Sequence, residues 1–213
     1  MLCFELIEPN KFIADHSTKS ETTADVKNSN GSGSGKGASQ RLVACLTTLH
    51  LFAKIRPQLL VPHAMTLQPY LSLRCKTQGD YQIISAVART LEVVVPLLEH
   101  PSESFLAQLE EDSVKLILQH DKTVVSSCLS CLGSVVNQVT RNFKLIRDCF
   151  RKYFGALNEY KGLHERNPDN PKLIQHRPFF RRALFTVGLL LRHFDFTHEE
   201  VFDFLPFKLI TDA

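Results

Sequence analysis

Residues 81–120, YQIISAVARTLEVVVPLLEHPSESFLAQLEEDSVKLILQH, decide the fold class of this chain. Apolar residues recur every three or four positions on both sides of Pro101, and this period is typical of amphipathic helices. Proline cannot extend the first helix, because its ring clashes with the preceding turn, and Ser102 is a suitable N-cap for the second. Two helices with one apolar face each cannot bury that surface alone, so the pattern predicts helix pairs that stack on neighbours.

The same alternation of helix, turn and helix extends over most of the 213 residues. Helix pairs begin near residues 41, 81 and 121, and this offset of roughly forty residues is typical of HEAT-like repeats. β-Branched runs such as residues 93–95 lie within a helical period and not in a strand pattern. We therefore predict an all-α fold, a HEAT-repeat-like α-solenoid of stacked antiparallel helix pairs.

Composition varies along the chain and predicts four regions. Residues 1–14 form a partial helix or terminal segment, and residues 15–40, rich in Ser, Thr, Gly and Asn, form a flexible loop. Residues 41–196 form the HEAT-repeat helical segment. Residues 197–213 form a short C-terminal helix or tail, which Thr197 begins with the spacing of a capping box.

Within the repeat segment, several residues carry specific expectations. Pro62 is placed to open a helix that extends to Leu71, with a break at Pro69. Asp121 is a suitable N-cap for the helix that follows it. The last long helix is expected to turn five apolar residues toward the core: Phe180, Leu184, Val187, Leu191 and Phe194.

Bulk composition is that of an ordinary folded protein, with 44% hydrophobic residues, 22% charged residues and a net charge of +3. Four of the six cysteines lie in predicted helices at or beside apolar positions. That placement suits buried thiols in a reducing compartment better than a disulfide framework. Residues 1–14 lack the pattern of a signal peptide, and the longest apolar run is far shorter than the roughly 20 residues of a membrane helix. We expect a soluble intracellular protein.

Three patterns that could carry chemistry are better explained by structure. Cys128 and Cys131 have the spacing of a zinc or redox site, but a second Cys/His pair is absent and both fall on an apolar helix face. The glycines of residues 31–37 lack the spacing of a phosphate-binding loop. The run from Arg192 to Asp195 lacks a nucleophile and lies where a helix C-terminus favours basic residues. We expect no catalytic, metal or cofactor site.

Positive charge is concentrated between Arg141 and Arg182, where eleven Lys or Arg residues oppose four acids, a local charge of 11 − 4 = +7. If the two helices of this region are neighbours, six cations could line one ridge and bind phosphates without reading bases. A solvated helix surface is the alternative. Arg192 with Asp195 could organise a repeat junction or contact a partner. The six cations of the predicted nucleic-acid-binding ridge are Lys144, Arg147, Arg151, Arg177, Arg181 and Arg182.

Four blocks of sequence keep the order in which they occur in one known family. They are RLVACLTTLHLFAKIRPQLLVPHAMTLQPYLS (41–72), LEVVVPLLEHPSESFLAQLEED (91–112), SCLGSVVNQVTRNFK (130–144) and RALFTVGLLLRHFDF (182–196). Together they resemble the large HEAT-repeat subunit of the cohesin loader, the Nipped-B-like (adherin) family. The resemblance implies a fragment from the C-terminal half of a much larger hook-shaped solenoid. The loop and the residues after the last block depart from the family pattern.

The resemblance implies a non-enzymatic function without cofactors: loading of cohesin onto chromatin in the nucleus, for sister chromatid cohesion and gene regulation. The implied partners are cohesin subunits and DNA bound without sequence specificity. The small loader subunit would be held by regions outside this chain, and no membrane is implied. The residues themselves leave an alternative open, a generic helical-repeat scaffold such as a transport or phosphatase adaptor.

Overall fold

The computed structural model describes residues 34–119 and 121–196. Over these two ranges the secondary structure is helical without a strand, which confirms the predicted all-α class. Short 3-10 segments and one π-helical turn join the α-helices of these ranges. The α-helices are α1 (Ser34–Ile55), α2 (Ala64–Leu67), α3 (Gln78–Val94), α4 (Glu103–Leu116), α5 (Lys122–Val135), α6 (Phe143–Arg166) and α7 (Pro171–His193).

The chain divides into two compact units, the first ending at Asp112 and the second beginning at Ser113. In the first unit α1 packs on α3, and α2 with the 3-10 segments Pro57–His63 and Gln68–Ser72 completes the core. In the second unit α6 packs on α7, and α5 also packs against α7. Each unit therefore contains a long helix, α3 or α7, that contacts more than one neighbour.

Helix α1 begins at Ser34, inside the stretch 15–40 that composition predicted to be a loop. Adding a residue to an existing helix gains one hydrogen bond without a new nucleation cost, so polar residues can extend a helix that is anchored further along the chain. The other terminal predictions lie outside the described residues. These are the partial helix of 1–14, the remainder of the loop (15–33) and the C-terminal segment 197–213.

The segment between α1 and α3 differs from the helix predicted to start at Pro62. Pro62 lies inside the 3-10 segment Pro57–His63, and only the four residues Ala64–Leu67 are α-helical. Pro69 lies in the first turn of a second 3-10 segment. Three prolines in this short stretch remove N–H groups that a continuous α-helix would need.

Helix α3 is the central helix of the first unit. Thr77 and Asp80 form a capping box at its start: the Thr77 N–H donates to the Asp80 carboxylate at 2.7 Å, and the Asp80 N–H donates to the Thr77 hydroxyl at 3.3 Å. Ile83, Ile84 and Leu91 are fully buried on more than one face of the helix. A helix buried on several sides needs several neighbours. The main partner of α3 is α1, and not α4, which is the second helix of the predicted hairpin.

The first helix of that predicted hairpin ends at Val94, well before Pro101. Pro96 lies in the first turn of the 3-10 segment that follows directly, and its missing N–H explains why the α-helix stops there. The second helix begins as predicted. The Ser102 hydroxyl accepts a hydrogen bond from the Phe105 N–H at 3.3 Å and so caps α4.

A buried carboxylate ties α4 to the first unit. Asp112, only 2% exposed, accepts hydrogen bonds from the Gln68 amide at 2.7 Å and the Ser72 hydroxyl at 2.9 Å. The Gln108 amide, one helical turn earlier, donates to its other oxygen at 3.0 Å. A buried carboxylate without such donors is strongly destabilising, so this network fixes the position of α4 against the 3-10 segment that carries Gln68 and Ser72.

His50 is a buried histidine on α1, with 8% of its surface exposed. Burial lowers the pKa of His50 from its usual 6.5, nearby Lys54 and Arg89 lower this pKa further, and Glu92 and a hydrogen bond to the Arg89 backbone oppose the shift. The folded state therefore binds fewer protons than the unfolded state in the pH range just below 6.5. The stability contributed by neutral His50 is present above that pH and is lost as the pH falls.

We expect the unmodified chain to lose more stability than the His50→Gln variant as the pH falls from about 7.5 to about 5.5. Glutamine keeps a polar side chain at this position and has no proton to gain. Urea unfolding of both chains at a series of pH values measures the difference. Parallel loss of stability in the two chains would contradict a depressed pKa of His50.

Helix α5 begins as predicted. The Asp121 carboxylate accepts hydrogen bonds from the N–H groups of Thr123 at 2.8 Å and Val124 at 3.1 Å, which confirms it as the N-cap. The stretch Lys122–Thr140 is long and apolar enough to cross a membrane by length and composition, but 56% of it is buried within the structure. It therefore serves as a core helix of the second unit.

The buried face of α7 differs from the predicted one. Leu184 and Leu191 are 63% and 48% exposed, whereas Ala183 and Leu190, each one position earlier, are fully buried. Both pairs repeat after seven residues, so the two stripes have the same period and lie about 100° apart around the helix. The other residues predicted to face the core are half-buried or buried: Phe180, Val187 and Phe194.

Candidate nucleic-acid and partner interface

The predicted basic residues lie on α6 and α7 of the second unit. Asn142 and Asn170 cap these helices through their side-chain oxygens, and the short turn before Asn170 reverses the chain direction. Tyr160 on α6 meets Phe180 on α7 with the ring centroids 4.3 Å apart. The two helices are therefore antiparallel neighbours, which is the arrangement that a shared basic surface requires.

The contact between Tyr160 and Phe180 sets the register of α6 against α7, and this register separates the six cations into two groups. Lys144 lies 160 − 144 = 16 residues before Tyr160, and Arg177 lies 180 − 177 = 3 residues before Phe180. Because the helices are antiparallel, Lys144 and Arg177 lie on opposite sides of the contact between Tyr160 and Phe180, so their offsets along the hairpin add. At about 1.5 Å per residue, the two cations are about 28 Å apart. The α6 and α7 cations thus lie at different levels, that is, at different positions along the axis of the hairpin.

The α6 group, Lys144, Arg147 and Arg151, lies opposite the buried side of its helix. Lys144 and Arg151 are exposed and Arg147 is half-buried. The Asp148 carboxylate lies 3.8 Å from the Arg151 guanidinium and offsets part of its charge. The group can contact an extended anion without any rearrangement of the core. The core side of the same helix is formed by Ile146, Cys149, Phe150 and Tyr153.

Arg141, which sequence reasoning did not single out, adds a cation at the start of α6. Its backbone φ is 55°, in the left-handed region, directly after the π-helical turn Val136–Thr140. Its guanidinium donates to the Asn137 carbonyl at 2.6 Å and lies 5.1 Å from the Phe143 ring centroid. These contacts offset a backbone cost of about 1–2 kcal/mol. No residue type in the sequence indicates this conformation, since glycine or asparagine would be usual there.

The α7 group lies beside a different kind of surface. Arg177 and Arg181 are exposed and Arg182 is half-buried. Arg181 and Arg182 line a cavity of about 450 Å³, together with Lys122 from the first turn of α5. The structure thus brings Lys122, a residue that sequence reasoning did not select, next to two of the predicted cations.

Arg192 and Asp195 are both exposed at the C-terminal end of α7. Between them lies His193, whose backbone carbonyl accepts a hydrogen bond at 3.1 Å from the amide of Asn137, in the π-helical turn that follows α5. A Cβ added at Gly133 would lie 3.2 Å from the His193 Cβ. Gly133 therefore permits the close approach of the two helices, and the helix junction lies one residue beyond Arg192.

Comparison with known proteins decides the family. The chain is 50% identical to the human Nipped-B-like protein over 198 residues, which cover 93% of this chain and 7% of that protein. It is 46% identical to the Drosophila melanogaster Nipped-B protein over 177 residues, 81% of this chain and 8% of that protein. This chain belongs to the Nipped-B-like family.

A more distant relative supports the same assignment. The Nipped-B-like protein scc-2 of Caenorhabditis elegans is 34% identical over 165 residues, 76% of this chain and 7% of that protein. No known protein-family profile matches the chain. The resemblance carried by the four sequence blocks is confirmed, and the chain spans less than a tenth of the length of its Nipped-B-like relatives.

Three thiols of the second unit, those of Cys128, Cys131 and Cys149, are buried in this Nipped-B-like segment. Cys128 and Cys131 are fully buried. Burial raises the pKa of Cys149 to about 11, although nearby Lys152 opposes the shift, so the Cys149 thiol is protonated and a poor nucleophile near neutral pH. Across residues 34–119 and 121–196, no three His, Cys, Asp or Glu side chains are grouped to hold a metal ion.

Proposed function

We propose that this Nipped-B-like chain is a HEAT-repeat segment of a cohesin-loading factor. It acts without catalysis, in the nucleus on chromatin, by holding cohesin subunits and DNA near each other. The observation that carries the proposal is the 50% identity to the human Nipped-B-like protein over 93% of this chain. Because the match covers 7% of that protein, the segment supplies one binding surface, and the small loader subunit is held elsewhere.

The α6 group supports the DNA-binding part of this proposal. Lys144, Arg147 and Arg151 share one helix face opposite the core, and Arg141 lies at the start of the same helix. Lysine and arginine on such a face neutralise phosphates and release counterions, which gives affinity without sequence preference. We assign DNA contact chiefly to the α6 group, with Arg177 of the α7 group at a separate level.

Exposed apolar side chains support the protein-binding part. In the first unit four large residues near the end of α1 are 55–73% exposed: Leu51, Phe52, Ile55 and Leu59. Ala53, the residue after Phe52, is buried, so this exposed group borders the core side of α1. Large exposed apolar side chains that lie close together in sequence are typical of interaction sites, and in helical repeats they contact a neighbouring repeat or a partner.

A generic helical-repeat scaffold, such as a transport or phosphatase adaptor, is the alternative function. Such a scaffold would have the same exposed apolar faces as a cohesin-loading segment. The identity of the bound partner therefore has to distinguish the two functions. We expect the immobilised 213-residue chain to retain cohesin subunits from nuclear extract, also after nuclease treatment has removed bridging DNA. Purified cohesin subunits, tested one at a time, then identify the direct contact.

The control for this experiment is the same chain with Lys144, Arg147 and Arg151 changed to glutamate. After nuclease treatment this variant should retain cohesin as the unmodified chain does, because its missing charges contact DNA only. Recovery of transport or phosphatase subunits without cohesin would contradict the proposed function and favour the adaptor.

A further inference from the structure

The cavity beside α7, here named the basic pocket, combines three cations with an apolar floor. Its volume of about 450 Å³ lies within the roughly 300–1,000 Å³ of ligand-binding pockets in proteins. Lys122, Arg181 and Arg182 line it, and no acidic side chain is among its lining residues in the described part of the chain. A pocket with this charge attracts an anionic group.

The nearest carboxylate in sequence, that of Asp121, is not among the residues that line the pocket. It accepts two backbone hydrogen bonds at the start of α5, at 2.8 and 3.1 Å, and is occupied as the N-cap. The Lys122 ammonium lies 5.6 Å from the centroid of the Phe185 ring, which holds this cation over the apolar floor.

The walls of the pocket are held in place by packing and by one buried hydrogen bond. The Thr186 hydroxyl donates to the Ile117 carbonyl at 3.1 Å, and both residues line the pocket. Ile117 and Val125 belong to the hydrophobic core of the second unit, with Phe185 packed against it. A ligand therefore meets a largely preformed surface and loses little entropy in ordering it.

An exposed stripe on α7 continues from the pocket. We name it the α7 outer stripe, and its members recur at three- and four-residue steps on the side of the helix opposite the core. Apart from its chain neighbours and the backbone of its own helix, nothing lies within 4 Å of a Cβ built at Gly188, so the middle of the stripe is open. Two arginines lie at its N-terminal end and two leucines at its C-terminal end: the stripe comprises Arg177, Arg181, Leu184, Gly188 and Leu191.

We propose that the basic pocket and the α7 outer stripe bind a segment of another protein in which acidic residues lie next to large apolar residues. Carboxylates meet the exposed Lys122 and Arg181, while apolar side chains cover Leu184 and Leu191. Charge complementarity with the pocket cations favours binding of the acidic residues of the segment. Contact with the exposed leucines favours binding of its apolar residues. The inference goes beyond the proposed function, because it requires neither DNA nor cohesin.

A nucleic acid fits this surface less well than an acidic peptide. Phosphates would satisfy the cations, but a sugar–phosphate backbone would leave Leu184 and Leu191 exposed. Nucleic-acid surfaces without base readout are typically lined by cations and polar groups, with aromatic platforms where bases stack. The α6 group, which is cationic and lacks exposed leucines, is the better phosphate surface of the second unit.

The test measures fluorescence anisotropy of labelled peptides with the full chain. The main probe is the peptide Gly-Asp-Glu-Asp-Leu-Phe-Ala-Leu-Gly. A second peptide replaces its acids with the matching amides, and a third replaces Leu and Phe with Ser. We expect the main probe to bind and each altered peptide to bind at least about tenfold more weakly, since both halves of the surface contribute.

Charge reversal on the protein locates the site. The variant Lys122→Glu with Arg181→Glu changes two exposed pocket cations and is expected to weaken binding of the main probe at least about tenfold. The control variant, Lys152→Glu with Lys172→Glu, makes the same change in net charge at exposed positions outside the pocket. We expect the control to bind the probe within about twofold of the unmodified chain.

Three outcomes would overturn the inference. Failure of the main probe to bind, with circular dichroism showing a folded chain, would remove the peptide site. Equal weakening by the pocket and control variants would show attraction by net charge alone. Loss of duplex DNA binding in the pocket variant, with peptide binding unchanged, would make the pocket a nucleic-acid site. None of these outcomes overturns the proposed function, because retention of cohesin is measured in a separate experiment.

Discussion

Leu91→Ala is expected to lower the free energy of unfolding of the first unit by about 2–5 kcal/mol. Leu91 is fully buried on α3, the helix that packs against α1 and the 3-10 segments. Alanine removes the apolar atoms that fill this site, and the surrounding helices can close the resulting cavity only in part. Urea unfolding followed by far-UV circular dichroism measures the effect, and hydrogen exchange at α3 amides assigns it to the first unit.

Leu51→Ala is the matched control for this substitution. Leu51 lies on α1 with 55% of its surface exposed, so removal of the same atoms should change stability by less than about 0.5 kcal/mol. A large difference between the two variants follows from burial, because the chemical change is identical. If Leu91→Ala were as mild as Leu51→Ala, the packing of α3 described above would be incorrect.

Changing Lys144, Arg147 and Arg151 together to glutamate is expected to weaken DNA binding at least about a hundredfold at low salt. On the proposed DNA surface, three positive charges that would face phosphates become three negative charges. Loss of three phosphate contacts should also reduce the slope of log affinity against log salt by about 2.7, at about 0.9 per contact. Fluorescence anisotropy of a labelled duplex over a range of salt concentrations measures both quantities.

The control for this triple variant is Lys152→Glu, Lys161→Glu and Lys172→Glu. These lysines are exposed, and the net charge changes by the same amount. Lys152 lies about 100° around α6 from Arg151, Lys161 lies more than two helical turns beyond Arg151, and Lys172 is on α7. We expect a much smaller loss of affinity and a nearly unchanged salt slope. Identical salt slopes for the triple variant and the unmodified chain would remove the α6 group from the proposed DNA surface, whatever the loss in affinity.

Local signals located two helix starts correctly, for a physical reason, but missed the start of α1 and misplaced a helix at Pro62. Ser102 and Asp121 cap α4 and α5 as predicted, because the side chain bonds to an N–H only two or three residues away. Helix ends were harder to place. The first helix of the predicted hairpin ends at Val94, just before Pro96, and not at Pro101, since either proline can interrupt a helix and only packing shows how far the α-helix continues.

Properties of the candidate site that depend on distant contacts were not predictable. Leu184 and Leu191 follow the same seven-residue spacing as Ala183 and Leu190, so periodicity alone could not choose the buried stripe. The choice is made by α5 and α6, which pack against α7. As a result, two leucines that the pattern predicted to be core are part of the exposed surface on which the peptide proposal rests.

The sequence by itself determined the all-α class, the N-caps and membership of the Nipped-B-like family, because helical period, caps and residue identities are local properties. Only the tertiary structure decided which stripe of α7 faces the core and that Lys122 lines a pocket with Arg181 and Arg182. It also decided that the α6 and α7 cations lie at different levels of one hairpin. These arrangements arise from packing between helices far apart in the chain, and the period of a single helix does not specify its neighbours.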